Sequence, residues 1–416
     1  MAQPISSLWR NSNFLKLWTA KTVSDFGSLI SGTALSFTAI LFLKATPFQL
    51  SLLIIANLLP KFLTGLIAGV WIDRLHRRPV MLFADIGRAL LLLSIPITAS
   101  IGKLNLAQLY GVTLGTGLLT LFFDLADRSY LPLLVPPESL IEANSKLTAT
   151  SSVAEFSAFS LGGWLVQSLS APFAVLIDAI TFLVSASFLG VIRKAEPRPT
   201  PPDSPTGVYT ELKEGWNTVW GHPLLASLAV STLLIGFSFG MIGTVIVAFM
   251  SRDLGFAPGI LGMIWALGGI SSLAGASLAS PISRRFGIGP SLVGGLFFAG
   301  VGMLVVSLGR GATAWSVVLL IANQLITDPA YTLYEINQVS LRQALVPERL
   351  QGRMNGTLEF LGLGTTLLGA LLGGVLGQSQ GLRTTLIFGA GVMLLASLCL
   401  SLSPMRRLKE LPKMEA

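Results

Sequence analysis

Long apolar runs separated by short polar connectors dominate this chain. Twelve of them reach the ~20 residues that a helix needs to cross hydrocarbon. They lie at about 14–42, 49–72, 79–101, 106–131, 146–169, 173–193, 222–250, 258–282, 289–309, 313–338, 354–377 and 381–403. The longest polar break runs from Arg193 to Glu214 and contains Lys194-Ala-Glu-Pro-Arg-Pro-Thr-Pro-Pro-Asp-Ser-Pro. Proline at this density reads as an extended linker. After it, Val208, Leu212, Trp216 and Val219 recur at helical spacing opposite a charged side, which predicts a short helix on the membrane interface.

Two stretches match each other across a shift of 210 residues. Gly65-x3-Gly69-x3-Asp73-Arg74 returns as Gly275-x3-Ala279-x3-Ser283-Arg284, and Pro137-Glu138-x-Leu140 returns as Pro347-Glu348-x-Leu350. The expected fold is an all-α membrane protein with twelve transmembrane helices in two pseudo-symmetric six-helix bundles. The bundles are expected at 1–193 and 222–416, the second with a basic tail, joined by a cytoplasmic linker at 194–221 that holds the interfacial helix. Paired bundles of this kind enclose a substrate path, which points to transport.

Composition narrows the reading. Hydrophobic residues make up 52% of the 416 and charged residues only 12%, about half the charged share of a soluble domain. The formal charge of +8 is spread over connectors rather than gathered on one face, so the positive-inside rule accounts for it better than a nucleic-acid partner does. With both termini cytoplasmic, 19 of the 28 basic residues fall on that side and five on the other. One cysteine, Cys399, and two histidines leave no disulfide within the chain and no His/Cys metal set. No cofactor is expected. Met1 to Asn13 is polar, and the first apolar run reads as a retained span rather than a cleaved signal.

Between spans two and three stands Gly69-Val-Trp-Ile-Asp73-Arg74-Leu-His-Arg77-Arg78. It resembles the cytoplasmic-loop signature G-x-x-x-D-R-x-G-R-R of the major facilitator superfamily, with His76 in place of the last glycine. Two further passages, Leu131-Pro-Leu-Leu-Val-Pro-Pro-Glu-Ser-Leu-Ile-Glu-Ala-Asn144 and Ile177-Asp-Ala-Ile-Thr-Phe-Leu-Val-Ser-Ala186, are similar to the drug-exporter branch that includes macrolide-efflux and siderophore-export proteins. The resemblance implies a multi-pass protein of the bacterial inner (plasma) membrane, with both termini cytoplasmic. It implies a proton-coupled antiporter that exports small amphipathic compounds by alternating access, in contact with a small-molecule substrate, protons and membrane lipid, and acting as a monomer. It assigns Asp73, Arg74, Arg77 and Arg78 to a cytoplasmic gate. One departure is Ala158-Phe-Ser-Leu-Gly162-Gly163 in span five, where such exporters often carry Gly-Pro before the glycine pair.

A charge at the bilayer centre costs about 2.5–3.5 kcal/mol on insertion scales, so each intramembrane charge needs a partner, a wet cavity or a function. Most lie in the first half: Lys21, Asp25, Lys61, Asp85, Arg88, Asp124, Asp127, Arg128, Glu155 and Asp178. The second half has chiefly Asp328, Glu335 and Glu359, so the first half is expected to handle the coupling ion. Asp25 and Glu155, near mid-span, are the proton-coupling candidates. Lys21 with Asp25, Asp85 with Arg88, and Asp124 with Arg128 are three or four apart and can neutralise each other. Asp127 is expected near Arg77 or Arg78 as a gate latch, and Asp178 reads as a helix-start acid near the outer face. Lys61, Arg88, Asn57, Asn323, Gln324 and Glu359 are substrate-cavity candidates, although polar side chains within spans more often bond helix to helix. Phe122, Phe123, Phe237, Phe239, Trp265 and Tyr331 are candidates for an aromatic wall.

Other classes fit less well. No P-loop G-x-x-x-x-G-K-[ST] is present to power transport with ATP, and neither H-E-x-x-H nor G-x-S-x-G supports a membrane-embedded enzyme. A lysophospholipid or metabolite carrier of the same fold is the alternative within transport, and a non-transporting sensor is a third reading.

Overall fold

The computed structural model describes residues 8–72, 75–194, 196 and 208–412. Among them there is no β-strand, and twelve long helices carry the chain. The first six are α1 (Ser12–Phe37), α2 (Pro47–Ile72), α3 (Arg77–Ser100), α4 (Leu106–Leu134), α5 (Leu140–Leu169) and α6 (Ala171–Gly190). A shorter helix, α7 (Val208–Gly221), precedes α8 (Pro223–Ala248), α9 (Pro258–Phe286), α10 (Ile288–Val306), α11 (Ala314–Leu345), α12 (Glu348–Ser379) and α13 (Leu382–Leu402). Ten are long and apolar enough to cross a membrane. The other two, α5 and α11, are long enough but hold more polar residues, and those residues build the sites described below.

The chain divides into two compact units, Met1–Lys44 with Ala56–Asp203, and Ala45–Ile55 with Ser204–Ala416. In the first, α1 packs on α5 and α6, and α3 on α4 and α6. In the second, α8 packs on α12 and α13, and α10 on α11 and α13. The two packing schemes coincide when α1–α6 are laid over α8–α13, which is the pseudo-symmetry anticipated from the repeated motifs. The likeness extends to irregular turns. α1 runs on into a π-helical turn at Thr38–Phe42, and its counterpart α8 does so at Phe249–Asp253. Lys44 then takes a positive φ of 52° where Gly255 takes 77°.

Each unit is built on close helix contact at small residues. A Cβ on Gly117 of α4 would meet the Asn57 carbonyl of α2, and one on Gly240 of α8 would meet the backbone of α12. The residues of α2 that belong to the second unit rest on the glycines of α12: Gly374 leaves room for Phe48 and Ser51, and Gly377 for Pro47. Arg252 donates to the Ala45 carbonyl at 2.7 Å in the same unit.

α7 is the interfacial helix anticipated from the spacing. Gly215 lets it approach the backbone of α12 at Arg353, and Val219 is fully buried. Arg353 pairs with both Glu211 and Glu214. On the other side Leu212, Trp216 and Trp220 are exposed in one stripe, the amphipathic pattern of a helix in the headgroup plane.

Candidate functional site

The charged side chains of the first unit fall into two groups. The first joins α1, α4 and α5. Lys21 lies one helical turn before Asp25, and its Nζ is 3.1 Å from Asp127 Oδ2 and 3.9 Å from Asp25 Oδ1. Ser151 of α5 donates to Asp25 Oδ2 at 3.0 Å. One ammonium therefore serves two carboxylates on different helices, and a hydroxyl holds one of them from a third. Lys21, Asp127, Ser151 and Glu155 line a cavity of about 510 Å³, together with Arg128, Asn144 and Thr148. This is a wet, carboxylate-bearing wall within a helix bundle, the arrangement proton-linked carriers use. Among the described residues no three acidic, histidine or cysteine side chains come together to hold a metal.

The partner of Asp127 differs from the one expected. Asp127 meets Lys21, whereas Arg78 donates to the Leu189 and Gly190 carbonyls at the C-terminus of α6. The reason is geometric: Asp127 faces α1 across the bundle, while the last carbonyls of α6 offer Arg78 a nearer acceptor. The backbone amides of Arg77 and Arg78 donate to the Glu196 carboxylate at 2.7 and 2.8 Å, so an acid from beyond α6 caps the start of α3. Asp73 and Arg74 lie outside the described residues.

The second group is buried. Arg88 reaches Asp85 at 2.5 Å and Thr120 at 3.2 Å, and its guanidinium lies 4.5 Å from the Phe123 ring centre and 4.1 Å from that of Phe182. With Asp85 at 0% and Arg88 at 2% exposure, the pair forms part of the packed core rather than a cavity wall. Asp178 is likewise not a helix-start acid. It is the eighth residue of α6, 1% exposed, bonded to Thr181 at 3.0 Å and set against Gly27 of α1. The apolar pattern places the span start at 173, whereas the helix begins at Ala171 after a sharp turn at Ser170. Asp124 and Arg128 make no ion pair.

In the second unit the polar groups lie on α11. Tyr331 and Gln338 donate to the two oxygens of Glu335 at 2.9 and 3.0 Å, and Tyr331 stacks edge-on against Phe239 of α8 at 5.1 Å. Gly268 of α9 faces the Gln324 amide and the Asp328 carboxylate directly. Asn323 is 2% exposed and its amide donates to Gly302 and Thr327, which ties α11 to α10. Asn57, Lys61, Glu155 and Glu359 are exposed.

Ser151, Glu196 and the Tyr331–Glu335–Gln338 set were not singled out in the sequence. A signal for Ser151 was present in Thr148-Ala-Thr-Ser-Ser152, a hydroxyl run inside a span. Glu196 sits in the proline-rich connector, where spacing carries no information on tertiary partners.

Comparison with known proteins follows from this geometry. A family model described as Major Facilitator Superfamily matches residues 17–358 and 228–415. The multidrug efflux pump Tap of Mycolicibacterium fortuitum is 26% identical over 371 residues, covering 87% of this chain and 88% of Tap. An uncharacterised MFS-type transporter of Bacillus subtilis (strain 168), YfiS, is 26% identical over 381 residues, covering 89% and 88%. Among solved structures, a bacterial homologue of the iron transporter ferroportin in an inward-facing state aligns with a TM-score of 0.75 at 20% identity, over 95% of this chain and 98% of the other. The nucleoside transporter NupG aligns with a TM-score of 0.75 at 14% identity, over 93% and 98%. At these identities the two structures speak to the fold alone.

Proposed function

The chain belongs to the major facilitator superfamily, and from that premise we propose that it is a proton-coupled exporter of small amphipathic compounds, working by alternating access. It is a multi-pass membrane transporter; the proposal concerns its cargo, its coupling ion and its direction. The observation that carries it is the Lys21–Asp25–Asp127–Ser151 constellation on the wall of the first unit's cavity. The Tap relative, a multidrug efflux pump, supports the drug-type reading.

The mechanism follows from charge. With every group ionised, Lys21 and Arg128 face Asp25, Asp124, Asp127 and Glu155, so this wall carries an excess of negative charge. Such a surface attracts an amphipathic cation. A proton taken up by Asp25 removes its claim on Lys21, which then turns fully to Asp127, and the wall loses affinity for the cation. Proton and cargo thus compete for one set of carboxylates, which gives exchange without a direct contact between them. Glu155, exposed on the same cavity, serves as the relay between Asp25 and solvent. Asp73 and Arg74, with Arg77 and Arg78, form the gate at the cytoplasmic loop, in an orientation with both termini cytoplasmic in the bacterial inner membrane.

Asp25→Asn tests this. In inverted vesicles energised by a proton gradient, the variant should lose accumulation of a fluorescent amphipathic cation while still binding it in detergent. Unchanged accumulation would remove Asp25 from coupling. The lysophospholipid carrier remains the second reading, because an apolar groove in the second unit is long enough for an acyl chain. That groove has a different use, argued next.

A further inference from the structure

The second unit contains a groove of about 520 Å³ between α9, α10 and α11, lined by Leu278, Phe286, Gly294, Phe298, Ile326 and Pro329 among others. Its lining is almost wholly apolar. The one hydroxyl, Ser291, already donates to the Gly287 carbonyl at 2.7 Å. Along α9 it extends from Gly275 to Phe286, eleven residues, or about 16 Å at helical rise. One leaflet of a bilayer is about 15 Å of hydrocarbon deep. Its length is that of one leaflet, and its rim residues Leu278, Phe286 and Phe298 are all exposed.

Cations gather at the Phe286 end. Arg284 and Arg285 form the last turn of α9. Arg406, Arg407 and Lys409 are brought beside them by the C-terminal segment, whose Leu408 and Lys409 carbonyls accept from Gly289 and Ile288 at 2.8 and 3.3 Å. All five are exposed, and none makes an ion pair among the described residues; the neighbouring Glu410 pairs with none of them. The internal repeat explains why. The first copy carries Asp73 before Arg74, whereas the second has Ser283 before Arg284, and Ser283 donates to Asn337 at 2.8 Å. The acid that would neutralise this end is absent from the second copy.

We infer that this groove holds an acyl chain of an anionic phospholipid, with the phosphate bound by Arg284, Arg285 and the cations of the C-terminal segment. The occupant is a resident lipid and not cargo, because nothing inside the groove can receive a headgroup in transit. The inference rests on the second unit alone and stands whether or not the exported compound is a drug.

The two arms of the site can be cut separately. Gly294 lines the groove, and a Cβ there would meet nothing within 4 Å, so Gly294→Leu fills the space without displacing backbone. Arg284→Gln with Arg285→Gln removes headgroup charge at exposed positions that carry no packing. The full-length protein is purified in detergent and examined by native mass spectrometry with dioleoyl phosphatidylglycerol or dioleoyl phosphatidylcholine. The wild type should retain phosphatidylglycerol over phosphatidylcholine by about tenfold or more. The arginine variant should bind the two alike, and Gly294→Leu should lose retention of both. Equal retention of the two lipids by the wild type overturns the inference, as does full phosphatidylglycerol retention by a folded Gly294→Leu. Should that variant melt well below wild type, Gly294→Ala gives the same reading with a smaller loss, while the arginine arm is unaffected.

Discussion

Replacing Arg88 by Met should destabilise the first unit through the acid it leaves behind. Asp85 is 0% exposed and its only ion-pair partner is Arg88, 2.5 Å away. Removing one member of a buried pair costs about 3–5 kcal/mol, because the remaining charge is stranded where neither water nor a partner reaches it. The lost bond to Thr120 and the contacts with Phe123 and Phe182 fall within that range rather than adding to it. Adding Asp85→Asn to the same chain removes the stranded charge. The double variant should therefore lose only about 1–2 kcal/mol, giving a coupling energy of roughly 2–3 kcal/mol from the cycle. Reversible unfolding in mixed micelles, followed by tryptophan fluorescence, measures all four corners. Substrate affinity of the double variant should equal that of the wild type, since Arg88 is 2% exposed and lines no cavity. Single-variant costs that add within about 0.5 kcal/mol would refute the argument that these two charges hold each other.

Ser170 has φ 70° and ψ 154°, and Gly381, at the corresponding turn of the second unit, has φ 89° and ψ 161°. This region is nearly restricted to glycine, with strain of about 1–3 kcal/mol for other residues. Ser170→Gly should raise thermal stability by about 1 kcal/mol and Ser170→Ala should not, as differential scanning fluorimetry in detergent would record. Glu196→Gln weakens two charge-assisted bonds to the start of α3 and should cost about 1 kcal/mol, with faster amide exchange at Arg77 and Arg78. Arg353→Ala breaks both pairs to α7 and should cost about 1 kcal/mol or less while increasing protease cleavage within 208–221. Gly268→Val places a side chain against Gln324 and Asp328 and should cost about 1–3 kcal/mol in the same unfolding assay.

The helices were legible because lipid demands long apolar runs, and the duplicated architecture because Gly65-x3-Gly69 and Gly275-x3-Ala279 keep one spacing. The interfacial helix was legible from Leu212, Trp216 and Val219. Partners across helices were not. Spacing reveals neighbours three or four apart, so it finds Lys21 with Asp25 but not Lys21 with Asp127, 106 residues away and 3.1 Å distant. Asp178 was misplaced because an apolar run does not mark where a helix starts, and the turn at Ser170 has no glycine to announce it. Arg88 looked like a cavity residue because an intramembrane charge has the same sequence signature whether it faces water or is sealed by Asp85 and two aromatic rings.

Proton movement driven by cargo addresses the central reading most directly. The protein is reconstituted into sealed vesicles containing a pH-sensitive dye, and an amphipathic cation is added with no imposed gradient. The account predicts proton flux opposite to the cation, abolished by Asp25→Asn and retained in the Arg88→Met, Asp85→Asn double variant. Cation movement with no accompanying proton flux, or proton flux unaltered by Asp25→Asn, would contradict it.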